Sequence, residues 1–164
     1  MGDRVKKYSK RILFVCTGNI CRSPTAEGVF TKYAERLGVS DKYEFKSAGT
    51  HHYHIGSPPD PRAINIAMER GYDLSELRAA QVKAEDFEKY DYIFALDKGH
   101  LARLRKLHTG KSTTSLSLFS TLVEDARYPE DIPDPYYGQD QGFENVLELI
   151  ETAAESFFKS AKES

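Results

Sequence analysis

The sequence predicts an α/β fold, a three-layer sandwich in which a central four-stranded parallel sheet is covered by helices on both faces. Short apolar segments rich in β-formers alternate along the chain with segments of helical periodicity, and this alternation is typical of βαβ units. The chain has 164 residues, of which 40% are hydrophobic and 12% aromatic, as expected of a folded domain with one substantial core.

Four segments are predicted as strands. The first, RILFVC, is apolar almost throughout, as expected of a strand buried on both faces of a parallel sheet. It stops at the turn residues TGN. The predicted strands are 11–16, 43–48, 90–96 and 115–119.

Five segments are predicted as helices. The first should begin at Ser23-Pro24, because serine is a favoured cap and proline is tolerated in the first turn, and it should end near Gly38. The last carries an apolar stripe at helical spacing. The other predicted helices are 60–70, 85–89, 99–107 and 143–158. The Pro-, Asp- and Gly-rich stretch 128–140 is predicted to be a surface loop.

Charge and cysteine content exclude several functional classes. The formal net charge of −2 leaves no basic excess to neutralise a nucleic-acid backbone. Because neither a membrane-spanning run nor a signal peptide is visible, we expect a cytoplasmic protein without a membrane partner. Two cysteines are too few for a disulfide scaffold, and no Cys/His cluster has zinc-site spacing, so no metal or other cofactor is expected. Residues 1–10 are predicted to be a flexible arm, and residues 11–164 a single catalytic domain.

The segment CTGNICRS, residues 16–23, is the main candidate site and is named the phosphate loop below. It joins the first strand to the first helix, at the end of a parallel strand where ligands bind. Successive backbone N–H groups there can form an anion nest, and Gly18 and Asn19 readily adopt the left-handed conformations that a nest needs. The residues expected to hold phosphate are Thr17, Gly18, Asn19, Ile20, Cys21 and Ser23.

Side chains of this loop add reactive chemistry to the nest. Cys16 lies at the bottom of an electropositive bowl, where a thiol is expected to ionise to the nucleophilic thiolate, and Ser23 can donate a hydrogen bond to it. Arg22 offers a planar fork that matches two phosphate oxygens. Cys16 alone could be a core residue and Arg22 a surface charge, but that interpretation does not explain their combination with the nest. The combination predicts phosphoryl transfer to Cys16.

The stretch VCTGNICRSPTAEG resembles the active-site loop of the low-molecular-weight protein tyrosine phosphatases. Similar segments follow over nearly the whole chain after residue 10: SAGT at 47–50, YHIG at 53–56, PDPRA at 59–63, YDYI at 90–93 and DPYYG at 134–138. The resemblance implies a flavodoxin-like fold of the phosphotyrosine protein phosphatase I type. It also implies metal-independent hydrolysis of phosphotyrosine and small aryl phosphates through a cysteinyl-phosphate.

A general acid is needed to protonate the leaving oxygen. By itself Asp134, between two prolines, is an ordinary turn residue, but the resemblance matches it to the family's general acid. Asp131 is the next candidate and Asp125 a remote one.

The resemblance assigns further roles around the loop. Asn19 and Ser47 match residues that brace the phosphate loop by hydrogen bonds, and Tyr53 matches a pocket wall. Tyr136 and Tyr137 are adjacent aromatics on a polar loop, which either wall a slot for an aromatic ring or divide between packing and surface. His54 is expected to be a surface residue. Where many members carry His and Arg, this chain has Glu76 and Ala80, so no function is carried to that segment.

Cys21 is predicted to be a redox partner, because a thiol beside an oxidised Cys16 could form a reversible disulfide; the alternative is a small packing residue. Three other functions stay open. Thioredoxin-coupled arsenate reductases of this fold use further cysteines, and this chain has none after Cys21. Protein arginine phosphatases tend to have Thr where this chain has Ile20. A non-catalytic phosphate-binding module would need neither Cys16 nor Asp134. The expected partner is a phosphotyrosine protein, and the expected state a monomer or weak dimer.

Overall fold

The computed structural model describes residues 8–108, 110 and 112–163, and a four-stranded parallel sheet lies at its centre. The elements in chain order are β1 (Lys10–Cys16), α1 (Arg22–Arg36), β2 (Tyr43–Gly49), α2 (Pro61–Glu69), α3 (Asp86–Lys89), β3 (Tyr92–Ala95), α4 (Lys98–Leu107), β4 (Ser115–Leu118), a 3₁₀ turn (Phe119–Leu122) and α5 (Asp140–Glu163). The strand order is β2-β1-β3-β4, and every pairing is parallel. The predicted α/β class and four-stranded sheet are confirmed.

Strand β1 is buried on both faces, which explains its unbroken apolar run. Ile12 and Phe14 face the core formed with α1, α2 and α5, whereas Leu13 and Val15 face the core formed with α3 and α4. The Phe14 ring lies 4.8 Å from that of Phe30 on α1, measured between centroids. Helices therefore cover both faces of the sheet, so the sheet is the middle layer of the fold and β1 is one of its two central strands.

From β1 the chain places β2 on one side and β3 on the other. Such a reversal of winding opens a crevice beyond the carboxyl ends of the two central strands. Cys16 is the last residue of β1 and is 2% exposed, so it forms the floor of this crevice.

Helix α1 begins at Arg22, two residues before the predicted first helical residue Pro24, and the prediction that Ser23 caps it is wrong. The capping position belongs to Cys21, which makes no side-chain capping bond, and Ser23 lies inside the helix. The Ser23 hydroxyl is 2.9 Å from Cys16 Sγ, and the Ser23 N–H donates to the same sulfur over 3.4 Å. The first turn of α1 thus directs two hydrogen-bonding groups of Ser23 at the Cys16 thiol. Ser23 contacts Cys16 instead of capping the helix.

Element ends differ elsewhere for local reasons. Strand β3 begins at Tyr92 instead of residue 90, because the Tyr90 N–H bonds the Asp86 carbonyl and closes α3. Helix α5 extends beyond its apolar stripe at both ends, because the helix dipole favours the acidic Asp140 in the first turn and residues 159–163 are mostly good helix formers. Strand β1 begins at Lys10, within the predicted arm; residues 1–7 of that arm lie outside the described residues. None of the helices in the described part of the chain is long and apolar enough to span a bilayer.

The end of β2 passes directly against the phosphate loop. Beyond the strands, the Thr50 N–H bonds the Cys16 carbonyl over 2.8 Å and the His51 N–H bonds the Thr17 carbonyl over 3.0 Å. A Cβ atom on Gly49 would lie 2.6 Å from the Thr17 carbonyl oxygen and 3.1 Å from the Asn19 nitrogen. Glycine is required at position 49 because the phosphate loop occupies the space of a side chain.

The variant Gly49→Ala is expected to displace the loop backbone, because every atom that its methyl group meets belongs to the main chain. We expect the free energy of unfolding to fall by about 1–3 kcal/mol, as for other overpacked sites, and inorganic phosphate to bind more weakly. Urea unfolding and phosphate inhibition measure the two effects. The control is Gly142→Ala, whose methyl group would lie at an ordinary 3.5 Å from Pro135 Cβ. Equal behaviour of the two variants would contradict the argument.

Candidate active site

Asn19 holds the phosphate loop in its bent conformation. Its φ of +59° is the sole positive value for a residue other than glycine in the described part of the chain. Its Nδ2 donates to Ser23 Oγ over 2.8 Å and to Ser47 Oγ over 3.0 Å, and its Oδ1 accepts from the Ala80 N–H over 2.9 Å. All hydrogen-bonding atoms of the buried amide are therefore used in fixing a left-handed turn.

The bracing continues behind the loop to Glu27, which sequence reasoning missed. Ser47 Oγ donates to Glu27 Oε1 over 2.7 Å. Burial raises the pKa of the Glu27 carboxyl, against the opposing effects of the Ser47 bond and of Lys46. The only sequence signal was an acidic residue in a helix whose neighbours are apolar. Ala80 takes part only through its backbone N–H, so this bond does not depend on the side chain at that position.

The Cys16 sulfur accepts hydrogen bonds from Ser23. Because Ser23 Oγ already accepts from Asn19 Nδ2, its own proton is free to point at Cys16 Sγ, 2.9 Å away, in preference to the Ala48 carbonyl at 3.4 Å. With the Ser23 N–H, two donors face the sulfur. Ser23 therefore serves Cys16 as a hydrogen-bond donor through both its side chain and its main chain.

Arg22 is buried to 3% exposure and pairs with Asp97. Its Nη1 donates to Asp97 Oδ2 over 2.8 Å and to the Ile132 carbonyl over 2.9 Å. Asp97 also caps α4 by accepting the His100 N–H over 2.9 Å. Burial disfavours the charged form of Asp97, but the His100 N–H, His100 and Arg22 together hold its pKa below the ordinary value. The available sequence signal for a role of Asp97 in the site is its position directly after the third predicted strand.

His100 completes this cluster, and sequence reasoning missed it as well. Its Nε2 lies 2.7 Å from Thr17 Oγ1 and 3.5 Å from Arg22 Nη2. Burial and then Arg22 lower the pKa of His100 to about 4, so the ring is neutral at pH 7. Because a guanidinium only donates, Nε2 is the accepting nitrogen. The proton is on Nδ1, which lies 3.2 Å from Asp97 Oδ1 without forming an aligned hydrogen bond.

Asp134 lies across the mouth of the loop, on a segment named the acid loop below (residues 131–138). Its Oδ1 accepts the Tyr136 N–H over 3.0 Å, and its Oδ2 lies 3.6 Å from Arg22 Nη2. The side chain is 41% exposed, so it is accessible from the crevice. The other two candidates point elsewhere: Asp131 accepts the Lys98 N–H over 3.0 Å, and Asp125 pairs with Arg127 over 2.8 Å.

A cavity of about 110 Å³ brings the predicted site residues together. It is lined by Cys16, Thr17, Gly18, Ile20, Cys21 and Arg22 of the phosphate loop and by Tyr53, His54, Asp134, Tyr136 and Tyr137 around them. The exposed fractions are 91% for Tyr137, 66% for Tyr53 and 38% for Tyr136. These tyrosines therefore form an aromatic rim that reaches into solvent. Two grooves of about 710 and 830 Å³ elsewhere on the surface include none of the phosphate-loop residues.

His54 belongs to this rim, although it was expected to be only a surface residue. Its ring lies 6.5 Å from that of Tyr136, measured between centroids. A Cβ atom on Gly18 would lie 2.9 Å from His54 Cδ2. Glycine at position 18 therefore allows the imidazole to approach the loop backbone.

Cys21 is buried to 5% exposure and lies in the same cavity as Cys16; both thiols are free. Burial raises the pKa of Cys21, and the negative charge of Asp60 acts in the same direction. The two thiols thus occupy opposite environments, because hydrogen-bond donors surround Cys16 whereas apolar groups surround Cys21. Across residues 8–108, 110 and 112–163, no three His, Cys, Asp or Glu side chains are grouped so that they could hold a metal ion.

A buried cysteine on a loop at the start of a helix, in one cavity with an arginine and a carboxyl group, is an arrangement that can bind a phosphate ester and cleave it. On this doubly covered parallel sheet, fold and site together define an enzyme of the phosphatase class.

Comparison with known proteins identifies the family. The model of the low molecular weight phosphotyrosine protein phosphatase family matches residues 11–164. The low molecular weight protein-tyrosine-phosphatase YfkJ of Bacillus subtilis is 38% identical over 91% of this chain and 94% of its own length. The human low molecular weight phosphotyrosine protein phosphatase is 36% identical over 95% and 98%. A crystal structure of a protein tyrosine phosphatase from Entamoeba histolytica superposes with a TM-score of 0.87 at 34% identity, over 94% of this chain and 97% of that one. The chain belongs to the low molecular weight phosphotyrosine protein phosphatases.

The buried neutral His100 predicts an acid-sensitive contribution to stability. The unfolded chain binds a proton on this ring near pH 6.5, whereas the folded protein binds it only near pH 4. The contribution is therefore present above pH 6.5 and is lost as the pH falls to about 4, by about 3 kcal/mol in total. We expect the difference in unfolding free energy between wild type and His100→Gln to shrink over this range in urea titrations. Parallel pH profiles of the two proteins would contradict this.

Proposed function

We propose that this phosphatase hydrolyses phosphotyrosine in proteins, and aryl phosphates in general, with Cys16 as nucleophile and Asp134 as general acid. The observation that carries the proposal is the geometry of the cavity. Cys16 Sγ lies under two donors from Ser23, and the Asp134 carboxyl faces Arg22 Nη2 over 3.6 Å. A phosphoryl group on the nest would then lie between nucleophile and acid, as an in-line displacement requires.

In the first step the Cys16 thiolate attacks phosphorus and an S–P bond forms. The bond from phosphorus to the phenolic oxygen breaks, and its electron pair leaves with that oxygen, which takes the proton of Asp134. Backbone N–H groups of the loop and Arg22 Nη2, whose contacts with Thr17 and His100 are long at 3.4 and 3.5 Å, stabilise the charge on the phosphoryl oxygens. The products are tyrosine and a cysteinyl-phosphate.

In the second step water replaces the sulfur. Asp134, now ionised, takes a proton from water as the water oxygen attacks phosphorus, and the S–P bond breaks to release phosphate. Ser23 assists here, because the hydrogen bonds that it gives to Sγ stabilise the departing thiolate. The Asp134 proton is restored for the next cycle.

The rim supports an aromatic substrate. Tyr53, His54 and Tyr136 surround the cavity with rings that can contact the ring of phosphotyrosine, and such contacts contribute about 0.5–1.5 kcal/mol per pair. Ile20 contributes an apolar surface at the floor. Phosphoarginine, the substrate of the nearest alternative function, offers a charged guanidinium that gains less from apolar contacts.

The proposal is tested by hydrolysis of a phosphotyrosine peptide with EDTA present. We expect Cys16→Ser to be inactive and Asp134→Asn to be slower by roughly 10²- to 10⁴-fold, the usual contribution of a general acid. Asparagine keeps the oxygen that accepts the Tyr136 N–H, so the loop turn is retained. The matched control is Asp125→Asn, which removes a carboxylate from the same kind of turn outside the cavity and should keep wild-type activity.

Two outcomes would overturn this assignment. Activity of Cys16→Ser would exclude the sulfur as nucleophile, and equal rates for Asp134→Asn and Asp125→Asn would exclude Asp134 as the acid. Faster turnover of free phosphoarginine than of phosphotyrosine would replace the substrate with that of an arginine phosphatase. Phosphate binding without any turnover would leave only a binding module.

We further propose that Cys21 protects Cys16 from irreversible oxidation. Hydrogen peroxide converts the Cys16 thiolate to a sulfenic acid and releases hydroxide; the Cys21 thiol then attacks that sulfur, forming the disulfide and releasing water. Because burial raises the pKa of Cys21, the second reaction uses a protonated thiol and should be slow. Its proton leaves with the departing oxygen.

After treatment with peroxide, we expect dithiothreitol to restore most activity to wild type and little to Cys21→Ala, whose Cys16 oxidises further. Mass spectrometry of the treated wild type should find a peptide with Cys16 and Cys21 two hydrogens lighter. Equal recovery of the two proteins would show that Cys21 is only a packing residue.

A further inference from the structure

Arg62 joins the acid loop to the rest of the site. It lies at the second residue of α2, and its side chain is 35% exposed. Its Nη1 donates to the Gly138 carbonyl over 3.1 Å and its Nη2 to the Tyr136 carbonyl over 3.0 Å. Two main-chain carbonyls on the C-terminal side of Asp134 are thus held by one guanidinium group.

The same guanidinium also contacts two aromatic rings, one on the acid loop and one on α5. It lies 5.8 Å from the centroid of the Tyr136 ring and 4.4 Å from that of Phe143. Phe143 is 4% exposed and belongs to α5, which packs on the central sheet. Cation–π contacts of this kind favour a fixed position of the planar group. Arg62 is therefore held against a rigid helix as well as against the loop.

Asp60 connects Arg62 with the phosphate loop. Its two carboxylate oxygens accept from Arg62 Nε over 3.0 Å and from Nη2 over 2.9 Å. The Asp60 N–H donates to the Ile20 carbonyl over 2.8 Å, and the residue is 8% exposed. A continuous series of hydrogen bonds therefore runs from the phosphate loop through Asp60 and Arg62 to the acid loop.

We propose that Arg62 is a positioning residue, which holds Asp134 and Tyr136 at the working distance from a phosphoryl group bound by the phosphate loop. The inference rests on the proposed role of Asp134. It predicts that proton donation to the leaving group depends on Arg62, whereas phosphate binding does not, since Arg62 lies outside the cavity that holds the anion.

The physical need for such a residue follows from the exposure of the acid. Within the described part of the chain, the 41%-exposed Asp134 side chain receives one hydrogen bond, from its own loop, and its contact with Arg22 Nη2 is longer, at 3.6 Å. Before Asp134, the acid loop is tied down where the Ile132 carbonyl accepts from Arg22. After Asp134, the hydrogen bonds from Arg62 to the Tyr136 and Gly138 carbonyls attach the acid loop to α2. A displacement of about 1 Å can cost on the order of 100-fold in rate.

The chain contains a matched control for this arginine. Arg127 makes the same local bonds to Asp125 as Arg62 makes to Asp60: its N–H at 2.9 Å, Nε at 3.1 Å and Nη2 at 2.8 Å. Its side chain is 90% exposed, and within the described residues its hydrogen bonds all go to Asp125. Arg127→Ala therefore removes an Asp-x-Arg pair without touching the acid loop.

The test compares kcat/KM for two substrates, phenyl phosphate and 2,4-dinitrophenyl phosphate. Phenolate needs protonation as it leaves, whereas dinitrophenolate departs as a stable anion. For Arg62→Ala we expect kcat/KM to fall roughly 10- to 100-fold with phenyl phosphate and less than about 3-fold with the dinitrophenyl ester. Inhibition by inorganic phosphate should stay within about 2-fold of wild type, which also reports a folded phosphate loop. Arg127→Ala should match wild type in all three measurements.

A double-mutant cycle separates this role from general loosening. If Arg62 acts through Asp134, Arg62→Ala in the Asp134→Asn background should add little further loss with phenyl phosphate. The inference is overturned if the losses of kcat/KM caused by the two substitutions multiply in the double variant. It is also overturned if Arg62→Ala loses kcat/KM equally on both substrates. If Arg62→Ala does not fold, Arg62→Gln retains a long side chain over Phe143 and is measured instead.

The experiment distinguishes the two proposals from each other. A leaving-group-dependent loss in Asp134→Asn but not in Arg62→Ala would overturn only the role of Arg62. Absence of that dependence in Asp134→Asn would overturn the general-acid assignment itself, whatever Arg62→Ala shows.

Discussion

The left-handed turn at Asn19 is the constraint on which the site depends. A side chain at this φ is tolerated because its amide makes three hydrogen bonds, to Ser23, Ser47 and the Ala80 N–H. The same bond to Ser23 leaves the serine proton for Cys16. The bent shape of the phosphate loop and the hydrogen bonding around the Cys16 sulfur therefore have one common cause. A half-satisfied network would lose both at once.

A second requirement is to keep a cation at the floor of the cavity. Arg22 is almost fully buried, and burial of an unpaired charge would be costly. Asp97 supplies the opposite charge, while the neutral ring of His100 fills the adjacent space without adding a second cation. Since Asp97 and Ile132 occupy Nη1, the group nearest the acid is Nη2. The buried ion pair thus leaves Nη2 as the guanidinium nitrogen that faces Asp134.

The fold and the centre of the site could be predicted from the sequence because their signals are local. The apolar run of β1 predicts the buried strand, and the short loop CTGNICRS that follows it brings Cys16 and Arg22 to one cavity. The contacts of Asp97, His100, Glu27 and Arg62 could not be predicted, because they join residues about 20 to 80 positions apart, whose proximity arises only when the sheet is assembled. Of the two expectations for Ser23, the hydrogen bond to Cys16 is confirmed and the cap of α1 is wrong, because the hydroxyl lies against the Cys16 sulfur and not at the helix end.

The attachment of the acid loop at two points has a consequence for how substrates enter. The loop is fixed before Asp134 by the Ile132 carbonyl on Arg22, and after it by Tyr136 and Gly138 on Arg62. A segment tethered on both sides of its carboxylate is poorly suited to swing as a lid. The cavity is accordingly open to solvent at the aromatic rim, where Tyr53 and Tyr137 are 66% and 91% exposed, so these rings are the first surface that an approaching molecule meets.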